Sequence, residues 1–218
     1  MKYNSVLLIC AIFILSCNNS KSDTTESRTD STVNTTTDTS GSVIHSTRGM
    51  AEVMNKMMQD MKTMQMTGDP DNDFAMMMKS HHMGAIEMAN IEISNGKDPD
   101  LKAMAQKMIN DQQKEINEFN SFLSTHNPHS KTDFSDNAKK MMEKSSSMSL
   151  NMHGADIDMD FATMMVQHHQ DAIDMAKEYL KTAHEPTIKT IAQNIISTHQ
   201  TEIKQLNDWK SKHNPGAH

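Results

Sequence analysis

The chain has 218 residues, enough for one domain with a real core or for two small ones, and its formal net charge is −7 at pH 7. This acidic balance argues against a nucleic-acid partner, because phosphate binding requires a basic face. Methionine occurs 23 times, whereas aromatic residues make up only 4% of the chain. Thioethers therefore supply apolar volume that Leu, Val and Phe normally supply.

The first residues, MKYNSVLLICAIFILSC, predict an export signal. A lysine near the start precedes an apolar run that is too short to span a bilayer permanently, and a small residue precedes the cut, so we predict a signal peptide over 1–16. The segment 14–17 resembles the lipobox of bacterial lipoproteins, in which the cysteine becomes the acylated first residue. We therefore expect lipidation at Cys17 and a lipid-anchored location in the cell envelope, on the periplasmic or outer-surface side. An ordinary signal peptide with an incidental cysteine is the alternative.

Cysteine usage limits the chemistry of the mature chain. Cys10 lies in the removed segment and Cys17 would carry lipid, which leaves no thiol for disulfides or thiolate metal sites. Any metal site must then use His, Met, Asp, Glu or amide oxygens. Residues 17–47 form a Ser/Thr-rich tract with little to bury, which predicts a disordered tether. The folded domain is expected over 48–215.

A methionine-rich helix is predicted first, at about 48–66. Its thioethers recur at three- and four-residue spacing, at Met54, Met57, Met58, Met61 and Met64. One interpretation is a flexible packing or partner-binding stripe, for which methionine is well suited. The other is a thioether ladder that captures Cu(I) or Ag(I). The sequence leaves both open.

The rest of the domain is a tandem duplication with an offset of 87 residues. The phrase DFAMMMKSHHMGAIEMA at 73–89 returns as DFATMMVQHHQDAIDMA at 160–176, with 11 identities in 17 positions. Extended without a gap, repeats 73–128 and 160–215 share 24 identities in 56 positions. The duplicated phrase is therefore either a packing unit or a ligand set.

Each copy predicts a helical hairpin. Apolar stripes recur at helical spacing, and Pro99 and Pro186 stand at the first turn of the second helix of each copy. Runs with the period of a strand do not occur. The predicted helices are 72–95, 99–125, 158–183 and 186–212, with a short helix at 134–149 in the long link. We predict an all-α, ferritin-like four-helix bundle built from two tandem helical hairpins, plus the N-terminal Met-rich helix.

A helical wheel places both histidines of each copy on the face that the two copies share, which we predict to be the inner face. Burying so many imidazoles without partners costs about 1–3 kcal/mol each, whereas a metal offers all of them a partner. Imidazole with thioether suits copper better than Mg or Ca. Plain buried structural histidines are the alternative. The candidate metal ligands are His81, His82, His168, His169, Met77, Met78, Met88, Met164, Met165 and Met175.

Three weaker candidates lie in the second helices. Glu115 and Glu202 recur at equivalent positions and would complete a site in the bundle, or are simply solvated helix positions. His199 replaces Gln112 of the first copy and has no twin.

The duplicated D-F-x-x-M-M-x-x-H-H-x-x-A-I-x-M-A phrase, with a Q-x-E-I helix after each copy, resembles the family called domain of unknown function 305 over about residues 50–215. The resemblance implies a ferritin-like fold, an exported protein and, from some members, copper binding by the ten His and Met candidates above. The chain departs from ferritin-like di-iron enzymes, because it contains no Glu-x-x-His motif.

The leading hypothesis is a non-enzymatic, lipid-anchored envelope protein that binds or sequesters copper, as Cu(I), with Ag(I) or another transition metal as further cargo. In this hypothesis the Met-rich helix is a capture surface, and the membrane is contacted only through the lipid. Two alternatives remain: a metal-dependent oxidoreductase of ferritin-like fold, and a metal-free helical interaction module. The sequence names no protein partner.

Overall fold

The structure, a computed structural model, describes residues 49–146 and 156–213. Across these two ranges it contains helices and no strand, which confirms the all-α prediction. The helices are α1 (Met50–Thr63), α2 (Pro70–Asn95), α3 (Pro99–Leu123), α4 (Phe134–Ser146), α5 (Ile157–Tyr179) and α6 (Pro186–His213).

An aspartate followed by a proline starts each helix of the first hairpin. The carboxylates of Asp69 and Asp98 accept hydrogen bonds from backbone N–H groups in the first turns of α2 and α3. Both residues are therefore N-caps, with proline in the first helical position. α2 begins at Pro70, two residues before the start at residue 72 that the sequence predicted. The buried Asp73 carboxylate instead accepts N–H groups of the loop before α2.

Two hairpins, α2–α3 and α5–α6, form the bundle, and α2 and α5 join them by direct contact. The start of α5 lies beside the end of α2, since Asp158 accepts the backbone N–H groups of Lys97 and Asp98. α2 and α5 therefore run antiparallel. The connection from α3 to α5 must return along the length of the bundle, and it contains α4. Two antiparallel hairpins with one long crossover are the ferritin-like arrangement, as predicted.

The remaining two helices, α1 and α4, cover the side of the α2–α5 pair that faces away from α3 and α6. α1 packs on α2, α4 packs on α5, and α1 and α4 touch each other. Each half of the molecule thus has three helices in the same order, so α4 is the counterpart of α1. Gly84 allows the close approach of α1, because a Cβ at this position would lie 2.7 Å from the sulfur of Met57.

An aromatic cluster joins four helices at one end of the core. The Phe74 ring of α2 stacks on Tyr179 of α5 with centroids 4.2 Å apart. Phe119 of α3 and Phe134 of α4 meet the same Phe74 ring edge-on, at 6.0 and 6.1 Å. Offset-stacked and edge-on geometries are the favourable ones for aromatic pairs. Although aromatic residues are few, several of them are concentrated where α4 must be held against the bundle.

Reciprocal aspartates tie the two halves together. Asp71 near the start of α2 accepts the backbone N–H groups of His184 and Glu185, which precede α6. Its counterpart Asp158 accepts the equivalent N–H groups before α3. Each half therefore satisfies the loop amides of the other, which is what a pseudo-two-fold axis between α2 and α5 requires.

Glu92 and Tyr179 occupy equivalent positions, 87 residues apart, behind these two aspartates. The Tyr179 hydroxyl donates a hydrogen bond to the Asp71 carboxylate. Glu92 is fully buried, and burial together with the facing Asp158 carboxyl raises the pKa of Glu92 to about 8. At neutral pH Glu92 is therefore protonated and offers a donor facing Asp158, in the position from which the tyrosine hydroxyl donates to Asp71.

Several predictions fall outside the described residues. These are the signal peptide 1–16, the tether 17–47 with Cys17, and the ends of the 48–215 domain at residue 48 and at 214–215. Within the ranges that the structure describes, no helix combines the length and the hydrophobicity that a membrane span requires.

Replacing Glu92 by Gln should change how stability depends on pH. The folded state retains a proton on Glu92 that the unfolded chain, with a pKa near 4.5, releases. The contribution of Glu92 to the free energy of unfolding therefore falls between about pH 4.5 and 8, by at most about 1.4 kcal/mol per pH unit. Glu92→Gln removes this contribution and keeps a donor facing Asp158, so in urea unfolding at pH 5, 6.5 and 8 the stability of the variant relative to the natural protein should increase as the pH rises.

Glu118→Gln is the matched control, because it neutralises an exposed glutamate of α3. It should retain the natural pH dependence. If the stabilities of the natural protein and of Glu92→Gln changed with pH in parallel between pH 5 and 8, Glu92 would not be protonated in the folded state.

Candidate metal centre

The duplicated histidines lie where the wheel predicted, on the inner faces of α2 and α5. His81, His82, His168 and His169 are all fully buried. Adjacent histidines on a helix point about 100° apart. The first histidine of each pair therefore contacts the other helix of the α2–α5 pair, and the second points toward α3 or α6.

His81 and His168 meet across the pseudo-two-fold axis. Their ring centroids are 3.6 Å apart, with the ring planes inclined by 34°. The His168 Nε2–H donates a hydrogen bond of 2.9 Å to the backbone carbonyl of His81. These two rings therefore form the contact at the centre of the α2–α5 interface.

His82 and His169 each face a glutamate from the second helix of their own hairpin. The Nε2 of His82 lies 2.6 Å from Oε2 of Glu115, and the Nε2 of His169 lies 3.1 Å from Oε2 of Glu202. The Glu115 side chain is 15% exposed and the Glu202 side chain 4%. The interpretation of these glutamates as merely solvated helix positions was therefore wrong, since both carboxylates enter the bundle.

His199 adds a third ligand-type group to the second half only. Its ring stacks on His169 with centroids 4.1 Å apart, and its Nδ1 lies 3.4 Å from Oε2 of Glu202. One ligand atom from each of His169, His199 and Glu202 lies within 4.8 Å of the others. Gln112, the counterpart of His199, is buried in the first half. The identity of residue 112 was the only sequence signal for this asymmetry.

Burial keeps the interior imidazoles neutral. It lowers the pKa of His81 and of His168 well below the ordinary value, and positive charge on neighbouring histidines would lower both further. Burial likewise lowers the pKa of His169 to about 4, and it lowers the pKa of His82 despite the opposing effect of Glu115. Neutral imidazoles present lone pairs, which metal binding requires.

Glu202 remains anionic in this setting. Burial alone would raise the pKa of its carboxyl, but the facing imidazoles of His169 and His199 outweigh burial and hold the pKa below its usual range. The Lys107 ammonium of α3 also reaches within 3.6 Å of Oε1 of Glu202, although the lysine side chain is 61% exposed. The second half therefore holds a buried carboxylate beside the imidazoles of His169 and His199, one side chain away from solvent.

Many of these buried polar atoms have no hydrogen-bond partner within the described part of the chain. An unpaired buried donor or acceptor costs about 1–3 kcal/mol, and such atoms are rare in native proteins. A cation that binds several imidazoles and a carboxylate would satisfy them together, so the residues fit a metal ion. The unpaired side-chain atoms in this region belong to His81, His82, His168, His169, His199, Gln112 and Glu202.

The six methionines predicted as ligands belong to the same core. Each is buried, with at most 4% exposure, and several stand one helical turn from a histidine, as Met77 does from His81 and Met78 from His82. The full set is Met77, Met78, Met88, Met164, Met165 and Met175. Their sulfurs add soft ligand atoms to a core that lacks thiols.

The Met-rich helix α1 faces the core. Met54, Met57 and Met61 are buried with 4%, 4% and 0% exposure, and Met58 and Met64 pack partly buried against the same core. Three of the five thioethers are thus directed into the core, because the helix needs its apolar stripe to pack on α2 and α4, and a capture role for α1 stays a prediction.

A second cluster of ligand-type residues lies where α3 ends. His126 and His129 approach the buried Asp69, with His126 Nε2 3.3 Å from its Oδ1. The two Asp69 oxygens already accept several backbone N–H groups, at the start of α2 and in the 129–130 loop. The cluster is thus a capping network that closes this end of the bundle.

Acid should destabilise the metal-free fold. The unfolded chain binds protons on histidine below about pH 6.5, whereas the folded protein excludes them until its lower pKa values, about 4 for His169. The free energy of unfolding should therefore fall from pH 6.5 downward, by up to about 1.4 kcal/mol per pH unit for each buried histidine. Urea unfolding at pH 7.5, 6 and 5 measures this fall.

The double variant His81→Leu/His168→Leu should lose part of the acid sensitivity, because it removes two of the excluded protons. His129→Gln, at an exposed position, should retain all of it. Acid sensitivity that is equal in all three proteins would show that these buried rings are not its source.

Comparison with known proteins places the chain among similar structures. CopM in its Cu(I)-bound form is 26% identical, with a TM-score of 0.51 over 66% of this chain and 97% of CopM. Structures of CopM in the Ag-bound and Cu(II)-bound forms match in the same way, with 26% and 25% identity. A DUF305 fragment from Deinococcus radiodurans, 18% identical over 66% of this chain and 96% of the fragment, with a TM-score of 0.51, shares the fold.

No protein with curated annotation matches the chain significantly. The sequence profile of the family described as "Domain of unknown function (DUF305)" matches twice, over residues 19–123 and 124–210. The boundary between the two matches falls between α3 and α4, so each match contains one three-helix half of the structure. The chain belongs to the DUF305 family.

Proposed function

We propose that this protein is a non-enzymatic metal-binding protein of the cell envelope that binds or sequesters copper inside its helical bundle. The observation that carries the proposal is the group of fully buried, neutral histidines with unpaired ring nitrogens between α2 and α5. A stable fold does not retain so many unpaired buried atoms without a compensating partner. Copper in either oxidation state accepts imidazole nitrogen.

The family relationship supports the choice of metal. CopM, which matches this chain over nearly the whole length of CopM, has been crystallised with Cu(I), Cu(II) and Ag. Ag(I) and Cu(I) are soft cations that prefer thioether and imidazole to oxygen. The buried methionines that surround the histidines provide such ligands in this chain, so Cu(I), with Ag(I) as a second cargo, fits the core.

Export and anchoring complete the proposal. The predicted signal peptide and the cysteine at position 17 would attach the mature chain to a membrane through lipid, and the 17–47 tether would hold the helical domain away from the surface. In the oxidising envelope a thiol-free metal site is an advantage, because thioethers and imidazoles do not form disulfides.

Anaerobic titration of the purified full chain with Cu(I), against a competing chelator, tests the proposal. Replacing His81, His82, His168 and His169 together by Ala should lower the Cu(I) affinity by more than about tenfold, or about 1.4 kcal/mol. Circular dichroism establishes that the variant is folded. If it is not, His81→Leu/His168→Leu serves instead, because leucine fills much of the space and removes unpaired nitrogens.

Methionine variants separate ligation from packing. Changing Met77, Met78, Met164 and Met165 to Leu keeps the apolar volume and removes four sulfurs, so Ag(I) and Cu(I) affinity should fall while stability changes little. Met83→Leu, at an exposed position, is the control. Unchanged copper affinity and stoichiometry in the folded histidine variant would refute the histidine site, whereas absence of copper binding by the natural protein would favour a metal-free interaction module.

A further inference from the structure

The polar residues that surround His82 in the first half and His169 in the second differ at one position. The first half presents His82, Gln112 and Glu115, and the second presents His169, His199 and Glu202 at the equivalent positions. Residues at corresponding places on a pseudo-two-fold axis share backbone geometry, so the side chains alone decide what each half binds. Two imidazoles and a carboxylate stand in the second half, against one imidazole, an amide and a carboxylate in the first.

The second-half triad has the composition of a divalent-cation site. Two imidazole nitrogens and one carboxylate oxygen suit Cu(II), Zn(II) and similar borderline cations, whereas Cu(I) prefers sulfur. Both His169 and His199 lie within 3.4 Å of the same Glu202 oxygen. All three residues are at most 3% exposed, so a cation would bind them in a nearly dry setting that strengthens each bond.

Charge and access point to the same half. The Glu202 carboxylate is buried, and a positive partner stabilises a buried carboxylate. Lys107 supplies only a partial one, since its Nζ stands 3.6 Å away on an exposed side chain that also bonds Asp111. α3 and α6 make little contact with each other, so a cation can approach Glu202 between these helices, where the exposed Lys107 side chain lies.

The first half lacks these features. His82 and Glu115 already form a close pair at 2.6 Å, and both side-chain atoms of the buried Gln112 are unpaired. A neutral amide is a weak ligand for a borderline cation compared with imidazole. This half can contribute a histidine and a carboxylate, which is one nitrogen short of the second half.

We propose that the protein binds one divalent borderline cation, such as Cu(II) or Zn(II), at His169, His199 and Glu202, and that the first half does not form the equivalent site. The site is distinct in ligand type from the thioether-rich surroundings that suit Cu(I). It rests on the proposed metal-binding function and deepens it, because it assigns an oxidation state and a stoichiometry to one half of the bundle.

Exchanging the differing residue between the halves tests this assignment. His199→Gln gives the second half the composition of the first, and Gln112→His gives the first half the composition of the second. Titration of the full chain with Cu(II), and separately with Zn(II), should give one tight site in the natural protein. His199→Gln should lose at least about tenfold in affinity, and Gln112→His should bind a second equivalent of each metal.

Electron paramagnetic resonance of the Cu(II)-loaded protein provides a second measurement. Coupling to two imidazole nitrogens is expected in the natural protein, and the signal should change in His199→Gln. Gln113→His is the matched control for the gain of a site, because it adds a histidine at the neighbouring exposed position of α3 and should leave one equivalent bound. If His199→Gln does not fold by circular dichroism, Glu202→Gln replaces it with the same expected loss.

Two results would overturn the assignment: undiminished Cu(II) and Zn(II) affinity in the folded His199→Gln or Glu202→Gln variant, or a second equivalent bound by Gln113→His as readily as by Gln112→His. Either result is separate from the broader copper proposal. If the four-histidine variant still loses Cu(I) while His199→Gln binds divalent cations normally, copper binding stands and only the single-site assignment fails.

Discussion

The burial of paired histidines between two antiparallel helices is the constraint on which the rest of the structure depends. An imidazole in a dry interior must stay neutral, and its nitrogens need partners. His81 and His168 meet at the axis, and His82 and His169 turn toward glutamates of α3 and α6. The outer helices are thus positioned by polar groups as well as by apolar stripes, which gives the bundle a defined register around its centre.

A symmetric scaffold carries asymmetric chemistry in this protein. The aspartates that cap the opposite hairpin, Asp71 and Asp158, occupy equivalent positions and keep the two halves in the same geometry. Single positions can then differ between the halves without changing this geometry. Tyr179 stands at the position equivalent to Glu92, and His199 at the position equivalent to Gln112. Duplication followed by such changes allows one half to specialise while the other maintains the fold.

Methionine serves two purposes in the core. It is unbranched and fills irregular gaps, so it replaces the scarce aromatic volume around α1, α2 and α5. The same side chain carries a soft sulfur that no oxidising compartment converts into a disulfide. Packing on α2 and α4 uses most of the α1 stripe, so the thioethers nearest the histidines on α2 and α5 are the ones whose position suits ligation.

The sequence by itself determined the helices, the duplication and the inward direction of the histidines, because a period of 3.6 residues and an exact offset of 87 are properties of one chain read in order. It also showed that Gln112 of the first copy is replaced by His199 in the second. Only the tertiary structure decided that Glu115 and Glu202 enter the core, that α1 turns its methionines inward, and that Asp71 and Asp158 exchange caps. Those contacts depend on the relative rotation and axial offset of separate helices, and the periodicity of a single helix contains neither quantity.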